Sequence, residues 1–299
     1  MQNILVTGAN GFVCSYLIPL LLNTYKVIAT GKGDNRLTIN HANFEYVNLD
    51  FTEEEEVKNV FKKYKPEIII HAGAISKPDE CEQNKELAYK TNVKATDFLL
   101  KEAKERKSFF LFLSTDFIFD GLTGLNKEED EPGPVNYYGE TKLLAEAAVK
   151  NYAFDWSIVR TVLVYGHPRG GRQNIITTVA NALQKGNEYN VFDDQVRTPT
   201  YVEDLAGALK KIIDRRATGI FHISGKDVMT PYEMAVAAAK YLGLDESLIK
   251  KVTAKTFAQP AKRPAKTGFD ISKARKELNY EPIAFAEGLK KTFEEIDID

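Results

Sequence analysis

The sequence predicts an α/β protein with a Rossmann-type doubly wound parallel sheet and a smaller, mixed C-terminal substrate lobe. Three observations predict this class: short apolar runs alternate with helical patterns in the first half, a glycine turn joins the first run to the first helix, and the alternation fades in the second half. Apolar strands separated by helices are typical of a parallel sheet covered on both faces. With 299 residues, 43% of them apolar, the chain can bury a large core.

The patterns assign the elements in order. Strands are expected at Asn3–Thr7, Lys26–Thr30, Phe44–Leu49, Glu67–Ala72, Phe109–Ser114 and Trp156–Arg160. Helices are expected at Gly11–Leu22, Thr52–Lys63, Asn84–Arg106, Tyr137–Asn151, Ile175–Lys185, Val202–Asp214, Pro231–Leu242 and Glu287–Ile296. We therefore expect a dinucleotide-binding domain over residues 1–160 and a mainly substrate-binding lobe over 161–299. Segments near 190–222 are candidates to return to the main sheet.

Composition excludes several classes of protein. The net charge of −2 gives no reason to expect nucleic acid or a membrane surface as a partner, and no apolar run is long enough to span a bilayer. Cys14 and Cys81 cannot build a disulfide framework, so a reduced, cytoplasmic setting is expected. No pair of the four histidines has metal-ligand spacing, so no metal is expected.

The first strand runs into a glycine turn, Thr7-Gly8-Ala9-Asn10-Gly11, which is followed by a helix. Gly8 allows the tight turn, and Gly11 lets the backbone approach a diphosphate at the helix N-terminus. Cys14 stands where a third glycine would usually lie, and we interpret it as a packing residue. The turn predicts cofactor contacts from Gly8, Asn10, Gly11, Phe12 and Val13.

The loop after the second strand bears on the choice of cofactor. An NAD-binding fold usually places Asp or Glu there to bond the ribose, but this strand ends without an acid, and Lys32 and Arg36 flank a glycine instead. Two cations suit a 2′-phosphate. We therefore expect NADP(H), with NAD(H) as the alternative.

Other strand ends carry further candidates for cofactor contacts. Asp50, after the third strand, is a candidate for bonding the adenine amino group, and the small residues after the fourth strand allow backbone to lie against the cofactor. His71 fits packing better than metal binding. The predicted contacts are Asp50, Phe51, Ala72, Gly73, Ala74 and Asn92.

A Tyr and a Lys four residues apart predict acid–base chemistry. Tyr138 and Lys142 lie on one face of a helix, whereas the i+4 partner of Tyr137 is Thr141. A nearby ammonium favours the phenolate and so makes Tyr a useful proton donor near neutral pH. Ser114 and Thr115, at the end of the fifth strand, can add a hydroxyl, because open α/β sheets bind ligands at strand ends.

Together these motifs resemble the extended short-chain dehydrogenase/reductase family over nearly the whole chain. Thr7-Gly8-x-x-Gly11, Tyr138-x-x-x-Lys142 and the run from Arg197 to Asp204 follow the family order. The run Ser114–Gly121 and the run Asn136–Lys142 resemble the signatures of dTDP-4-dehydrorhamnose reductases. Phe117 stands where that signature usually has Tyr, and the run from His71 to Ser76 also departs from it.

The resemblance implies roles for individual residues. Tyr138 gives a proton to a substrate carbonyl oxygen while NADPH delivers hydride, Lys142 bonds the nicotinamide ribose, and Thr115 is the hydroxyl partner with Ser114 beside it. The implied substrate is a nucleotide sugar, with Arg197 and Arg263 as candidates for its diphosphate. The expected substrate contacts are Ser76, Asp116, Phe117, Arg197 and Arg263.

Two other functions stay open at this point. An epimerase would recycle hydride internally, while a dehydratase would want an Asp-Glu pair where Asp116-Phe117 stands. A non-enzymatic regulator resembling the methionine adenosyltransferase beta subunit is the third hypothesis. A homodimer through the helices Asn84–Arg106 and Tyr137–Asn151 is also left open.

Overall fold

The computed structural model of the chain describes residues 1–169 and 173–294. Its strands are β1 (Asn3–Thr7), β2 (Lys26–Gly31), β3 (Phe44–Asn48), β4 (Ile68–His71), β5 (Phe109–Thr115), β6 (Trp156–Thr161), β7 (Val164–Tyr165), β8 (Tyr189–Phe192), β9 (Val196–Arg197), β10 (Thr200–Tyr201), β11 (Gly219–Ile223), β12 (Ile249–Val252) and β13 (Lys266–Thr267). Its α-helices are α1 (Phe12–Leu21), α2 (Glu54–Tyr64), α3 (Pro78–Gln83), α4 (Lys85–Tyr89), α5 (Ala95–Arg106), α6 (Tyr137–Lys150), α7 (Ile175–Gln184), α8 (Val202–Arg215), α9 (Pro231–Leu242), α10 (Ser272–Leu278) and α11 (Phe285–Glu294).

Seven strands form one parallel sheet in the order β11-β6-β5-β4-β1-β2-β3. The strand β1 lies inside it, with Val6 paired to Ala29 of β2 and to Ile70 of β4. Because all strands are parallel, their carboxyl ends share one edge, and the order reverses between β1 and β4, where such sheets bind ligands. The predicted fold class is confirmed.

Both faces of the sheet are buried, as the continuous apolar strands predict. In β1 the side chains of Ile4, Leu5 and Val6 are all fully buried. Ile4 and Val6 join the core that includes α1 and α8, whereas Leu5 joins the core that includes α2, α5 and α6. Alternate side chains of one strand therefore hold helices on opposite faces.

Among the residues that the structure describes, the chain after β6 contributes one strand to the main sheet and forms three short strand pairs. The strand β11 pairs with β6, from Gly219 opposite Ser157 to Ile223 opposite Thr161. The short pairs β7/β10, β8/β12 and β9/β13 lie outside that sheet. The helices α7 and α9 pack on a core of their own, formed by Val179, Leu183, Val191, Ala235, Ala239 and Ile249.

The long helix expected at Asn84–Arg106 is interrupted. It divides into α4, a π-helical turn at Lys90–Lys94, and α5. The turn contains Asn92, whose amide group bonds the backbone of Ile75 in the loop after β4. Single π turns inside helices are frequent at functional sites. Residues 295 and 296 of the predicted last helix lie outside the described residues.

Over residues 1–169 and 173–294, the helices are too short or too polar to span a bilayer.

Candidate active site

One cleft of about 790 Å³ lies at the carboxyl edge of the sheet, between the glycine turn, the ends of β4 and β5, and α6. Its volume is in the range of small-molecule and cofactor sites. The structure brings most of the predicted site residues to its wall: Gly8, Asn10, Gly11, Phe12, Val13, Lys32, Arg36, Phe51, Ala72, Gly73, Ala74, Ser76, Ser114, Thr115, Asp116, Phe117, Tyr138 and Lys142.

The glycine turn leaves room and hydrogen-bond donors for an anion. Gly8 has φ +69°, and a Cβ there would lie 2.7 Å from the Cα of Gly73. No side chain caps the N-terminus of α1, where Gly11 is the N-cap. The first N–H groups of the helix, at Phe12 and Val13, therefore face the cleft without a side-chain acceptor, as in diphosphate-binding turns.

The loop after β2 is held at the cleft by Asn10. Its amide nitrogen donates to the Asp34 carbonyl at 3.0 Å and to the Tyr46 hydroxyl at 2.9 Å. Its amide oxygen accepts from the backbone N–H of Arg36 at 3.0 Å. The glycine turn therefore fixes the backbone that carries the two predicted cations.

Those two cations differ in their surroundings. The Lys32 ammonium is bonded to Asp50 Oδ2 at 2.7 Å, whereas no described side chain pairs with the Arg36 guanidinium. Burial alone would raise the pKa of Asp50, but bonds from Lys32 and Thr52 lower it to about 2. Arg36 is thus the unpaired cation at this end of the cleft, and Asp50 lies outside the cleft wall.

His71, the last residue of β4, is buried and neutral. The Thr96 hydroxyl donates to the Asn92 carbonyl, so it accepts from His71 Nε2 at 3.0 Å, and His71 Nδ1 then accepts from the Thr7 hydroxyl at 2.7 Å. Burial and, less strongly, the positive charge of Lys142 lower the pKa of His71 to about 3. These contacts favour the packing interpretation of His71.

The N-terminus of α6 is fixed against the end of β5. The Asn136 side chain caps the helix by accepting from Gly139 N at 2.9 Å and donates to the Lys262 carbonyl at 2.8 Å. A Cβ at Gly139 would lie 2.1 Å from the Phe117 carbonyl oxygen. Only glycine lets the first turn of α6 approach this close, and Tyr138 is set in the same turn, with its ring 5.9 Å from that of Phe117.

Lys142 is buried one helical turn after Tyr138. Its ammonium donates to the Leu113 carbonyl at 2.8 Å and lies 3.9 Å from the centre of the Phe112 ring. Burial lowers its pKa to about 7. Tyr138 and Lys142 both line the cleft, so the arrangement can move a proton at the end of β5.

The two hydroxyls at the end of β5 are engaged differently. Ser114 donates to Glu146 Oε1 at 2.6 Å, on the side of α6. Thr115 donates to Asp116 Oδ1 at 3.1 Å and accepts from Phe117 N at 3.3 Å. The bond that Thr115 donates to Asp116 is longer than the bond that Ser114 donates to Glu146, so the Thr115 hydroxyl can more easily exchange its partner for a substrate oxygen.

Asp116 links this strand end to the second half of the chain. The carboxylate accepts a hydrogen bond from the Thr267 hydroxyl. Burial raises the pKa of Asp116, while Arg197 and Thr267 act against that rise.

Four of the predicted contacts do not reach the cleft wall: Asp50, Asn92, Arg197 and Arg263. Asn92 instead ties the loop after β4 to α6, because its amide nitrogen donates to Thr141 Oγ1 at 3.0 Å as well as to the Ile75 carbonyl. Asn92 therefore holds the loop after β4 against α6 without lining the cleft itself.

The two predicted diphosphate cations are already bonded. Arg197 donates to the carbonyls of Val196, Pro264 and Ala265 and to the Gln195 side chain. Arg263 forms two bonds to Asp79, at 2.6 and 2.8 Å. Both arginines fix loops of the second half around the cleft.

Sequence reasoning missed several residues of the site. Asn174 lines the cleft and caps α7, and a polar residue just before a periodic helix was the available signal. Glu146 lies one turn beyond Lys142, and its i+4 spacing was likewise visible. The other missed lining residues are Cys14, Gly31, Pro78, Leu113, Thr161, Leu163, Val164, Gln173 and Ile175.

This fold and site define a class: a Rossmann-type nucleotide-binding protein with the Tyr, Lys and Thr of a short-chain dehydrogenase/reductase around one cleft. A sequence model of the RmlD substrate binding domain matches residues 1–298. The chain therefore belongs to that family, the dTDP-4-dehydrorhamnose reductase-like group of the extended short-chain dehydrogenases/reductases.

Two curated relatives illustrate the range of the family. The probable low-salt glycan biosynthesis reductase Agl14 of Haloferax volcanii is 30% identical over 277 residues, which cover 91% of each chain. The methionine adenosyltransferase 2 subunit beta of Xenopus tropicalis is 32% identical over 279 residues, 91% of this chain and 81% of the relative.

Solved structures agree over the whole chain. A dTDP-4-dehydrorhamnose reductase from Clostridium acetobutylicum has a TM-score of 0.87 at 29% identity, covering 99% of this chain and 100% of the other. The enzyme of that name from Bacillus anthracis, solved in complex with NADP, has a TM-score of 0.85 at 26% identity and the same coverage.

Proposed function

We propose that this protein is an NADP(H)-dependent reductase of a keto group on a nucleotide-activated deoxysugar. The observation that carries the proposal is that Tyr138, Lys142 and Thr115 line the same cleft as the glycine turn. The names of the relatives support it, since they include a glycan biosynthesis reductase and dTDP-4-dehydrorhamnose reductases, one of them bound to NADP.

The residues present fit a dinucleotide. The glycine turn and the uncapped start of α1 would hold a diphosphate, and the backbone of Ala72, Gly73 and Ala74 would lie along the cofactor. A Cβ at Gly73 would lie 2.6 Å from the Phe51 ring, so glycine keeps this wall flat. When bound, NADPH would supply the hydride for the carbonyl carbon.

Three side chains then do the proton chemistry. Tyr138 donates its phenolic proton to the carbonyl oxygen. The Lys142 ammonium, held by the Leu113 carbonyl, stabilises the phenolate that remains. The Thr115 hydroxyl turns from Asp116 to the substrate oxygen and orients it. The oxygen therefore meets two donors on the same side of the cleft.

Replacing Tyr138 tests the proposed acid. Tyr138→Phe should lower the rate of NADPH oxidation with dTDP-4-dehydrorhamnose by about 10²–10⁴-fold, because a general acid contributes that much. NADPH binding, followed by fluorescence, should be retained.

The matched control is Tyr137→Phe, which alters the neighbouring ring on the same helix and should keep turnover. A fully active Tyr138→Phe protein would show that another group supplies the proton. Wild-type protein that binds NADPH but reduces no keto-sugar nucleotide would refute the reductase itself.

A regulatory subunit is the second candidate function. It is favoured by the relatives named methionine adenosyltransferase 2 subunit beta, and by the bonds that already engage Arg197 and Arg263, the two cations expected to meet a substrate diphosphate. It would bind NADP(H) without turnover and would bind a methionine adenosyltransferase catalytic subunit. A pull-down with that subunit separates it from the reductase, which should not bind.

A further inference from the structure

A buried ion pair lies directly behind the proposed reaction site. Glu146 is fully buried on α6, and Arg160 is buried on β6. Arg160 Nε donates to Glu146 Oε1 at 3.0 Å, and Nη2 donates to Oε2 at 2.8 Å. The two parallel bonds identify Glu146 as a carboxylate.

The other terminal nitrogen of Arg160 is used as well. Its Nη1 donates to the Glu128 carbonyl at 3.3 Å and to His222 Nε2 at 3.2 Å. His222 Nδ1 then donates to the Asn126 carbonyl at 2.9 Å, which fixes a neutral ring. Four bonds therefore hold Arg160 in place, and its partner Glu146 is held in one orientation.

Glu146 also connects to the reacting groups from two directions. Its Oε1 accepts from the Ser114 hydroxyl, next to Thr115 in the chain. On its own helix it lies one turn beyond Lys142, which itself bonds the carbonyl of Leu113. The helix α6 is therefore attached to the consecutive residues Leu113 and Ser114 of β5 at two successive turns, and Thr115 and Tyr138 both line the cleft beside these attachments.

The negative charge of Glu146 acts on Lys142 as well as on its ion-pair partner Arg160, whose positive charge offsets part of the effect. Among the described residues, the titratable groups that interact with the charge of Lys142 are His71 from β4, Cys81 from α3 and Glu146 from α6. His71 is neutral, and burial raises the pKa of Cys81 to about 11, so its thiol keeps its proton near pH 7. Among the described residues, Glu146 is the full negative charge that opposes the effect of burial on Lys142.

We propose that Glu146 is a positioning residue of this site: it holds the end of β5 against α6 and supplies the negative charge that keeps the Lys142 ammonium protonated. Its part in the reaction rests on the proposed reductase function. Glu146 does so through Lys142 and Ser114, without touching the substrate. Ser114 thereby becomes an anchor of the strand end, and Thr115 is left as the hydroxyl that meets substrate.

The test measures Lys142 directly. The Lys142 side chain is titrated by NMR in protein labelled at lysine ¹³Cε and ¹⁵Nζ, with Lys142→Met to assign the signal. The double variant Glu146→Gln/Arg160→Met removes the pair without leaving Arg160 unpaired in the interior. Glu146→Asp keeps the charge but withdraws it by one methylene. Lys150→Gln is the matched control, because Lys150 lies 3.9 Å from Glu146 on the solvent side.

The proton affinity of Lys142 should fall in the double variant, but by less than the roughly tenfold that one unshared neighbouring charge is worth, because the positive charge of Arg160 is removed together with the negative charge of Glu146. It should fall less in Glu146→Asp and stay unchanged in Lys150→Gln. An unchanged Lys142 titration in the folded double variant would overturn the proposal. If the double variant does not fold, the Lys142 titration in Glu146→Asp decides the question. A lower proton affinity of Lys142 in that variant supports the proposal, and an unchanged proton affinity overturns it.

A kinetic readout separates this proposal from the proposed function. With an active wild type, the alkaline limb of kcat/KM for dTDP-4-dehydrorhamnose should move to lower pH in the Glu146 variants, and an unmoved limb would refute the reaction role. A merely structural role would lower kcat/KM equally at all pH values. If no keto-sugar nucleotide is reduced by wild type, the reductase fails, while the Lys142 titration still decides whether Glu146 sets its protonation.

Discussion

At the scale of single residues, the environment of a charge decides what the charge can bind. Lys32 and Arg36 are equivalent in the sequence, since both flank the same glycine turn. In the structure Asp50 reaches Lys32 from the end of β3, whereas the Arg36 guanidinium is left unpaired in the described part of the chain. No sequence pattern connects residues 32 and 50, because the contact depends on the pairing of β2 with β3.

This difference predicts unequal effects on cofactor choice. Arg36→Ala should weaken NADPH binding by about 1.5–3 kcal/mol, the range of a charge-assisted hydrogen bond, and should leave NADH binding nearly unchanged. Lys32→Ala should have the smaller effect, because its ammonium is already neutralised by Asp50. Fluorescence titration of both cofactors measures this. Equal losses for NADPH and NADH in Arg36→Ala would rule out a contact with the 2′-phosphate.

At the scale of elements, the geometry of the site depends on where α6 begins relative to β5. Gly139 has the Phe117 carbonyl where a Cβ would stand, so the helix start and the end of β5 are in direct contact. The polar cap at Asn136 strengthens that contact by binding Lys262 of the second half. One helix end therefore joins Tyr138, Phe117 and the loop that carries Arg263.

Gly139→Ala tests this contact. The added methyl must push α6 from β5, which should cost about 1–3 kcal/mol of unfolding free energy and lower kcat more than it weakens NADPH binding. The matched control is Gly207→Ala inside α8, where a Cβ would have nothing within 4 Å. That change should stabilise the protein by about 0.5–1 kcal/mol. Urea unfolding and steady-state kinetics measure both, and a neutral Gly139→Ala would contradict the close approach.

The sequence predicted the regular elements well, because strands buried on both faces and amphipathic helices have strong patterns. It missed two-residue strands such as β9 and β13, which form only where Arg197 and Thr267 meet in space. It also missed the π turn around Asn92, since that turn depends on the backbone of Ile75. For the site, motif spacing predicted Tyr138 over Tyr137. The partners of Ser114, Arg197 and Arg263 needed three-dimensional contacts.

At the scale of the whole molecule, two buried histidines tie stability to pH. Burial, with smaller contributions from Lys142 and Arg160, lowers the pKa of His71 and of His222 to about 3. An unfolded histidine titrates near 6.5. As pH falls below that value the unfolded chain takes up the protons first, so stability present above pH 6.5 is lost progressively down to about pH 3.

The expected loss is roughly 1.4 kcal/mol per histidine for each pH unit below 6.5. Each histidine variant, His71→Gln or His222→Gln, is compared with wild type in the loss of unfolding free energy on acidification. The difference isolates the contribution of His71 or His222 from that of other buried groups. Free energies of urea unfolding at pH 7 and pH 5 measure it, and each variant should lose less stability on acidification than wild type. The exposed His41→Gln serves as control and should follow wild type. Parallel pH dependence in all four proteins would exclude both histidines as the cause.

The edge position of β11 has a consequence for how the chain is made. Residues 162–218 separate β6 from β11, its neighbour in the sheet. During synthesis at roughly 5–20 residues per second, the outer edge of β6 would therefore wait on the order of several seconds for its partner. Unpaired edges invite pairing with other chains. The main sheet is thus completed late in synthesis, when β11 pairs with β6. Until then the nascent chain must keep the exposed edge of β6 from pairing with other chains.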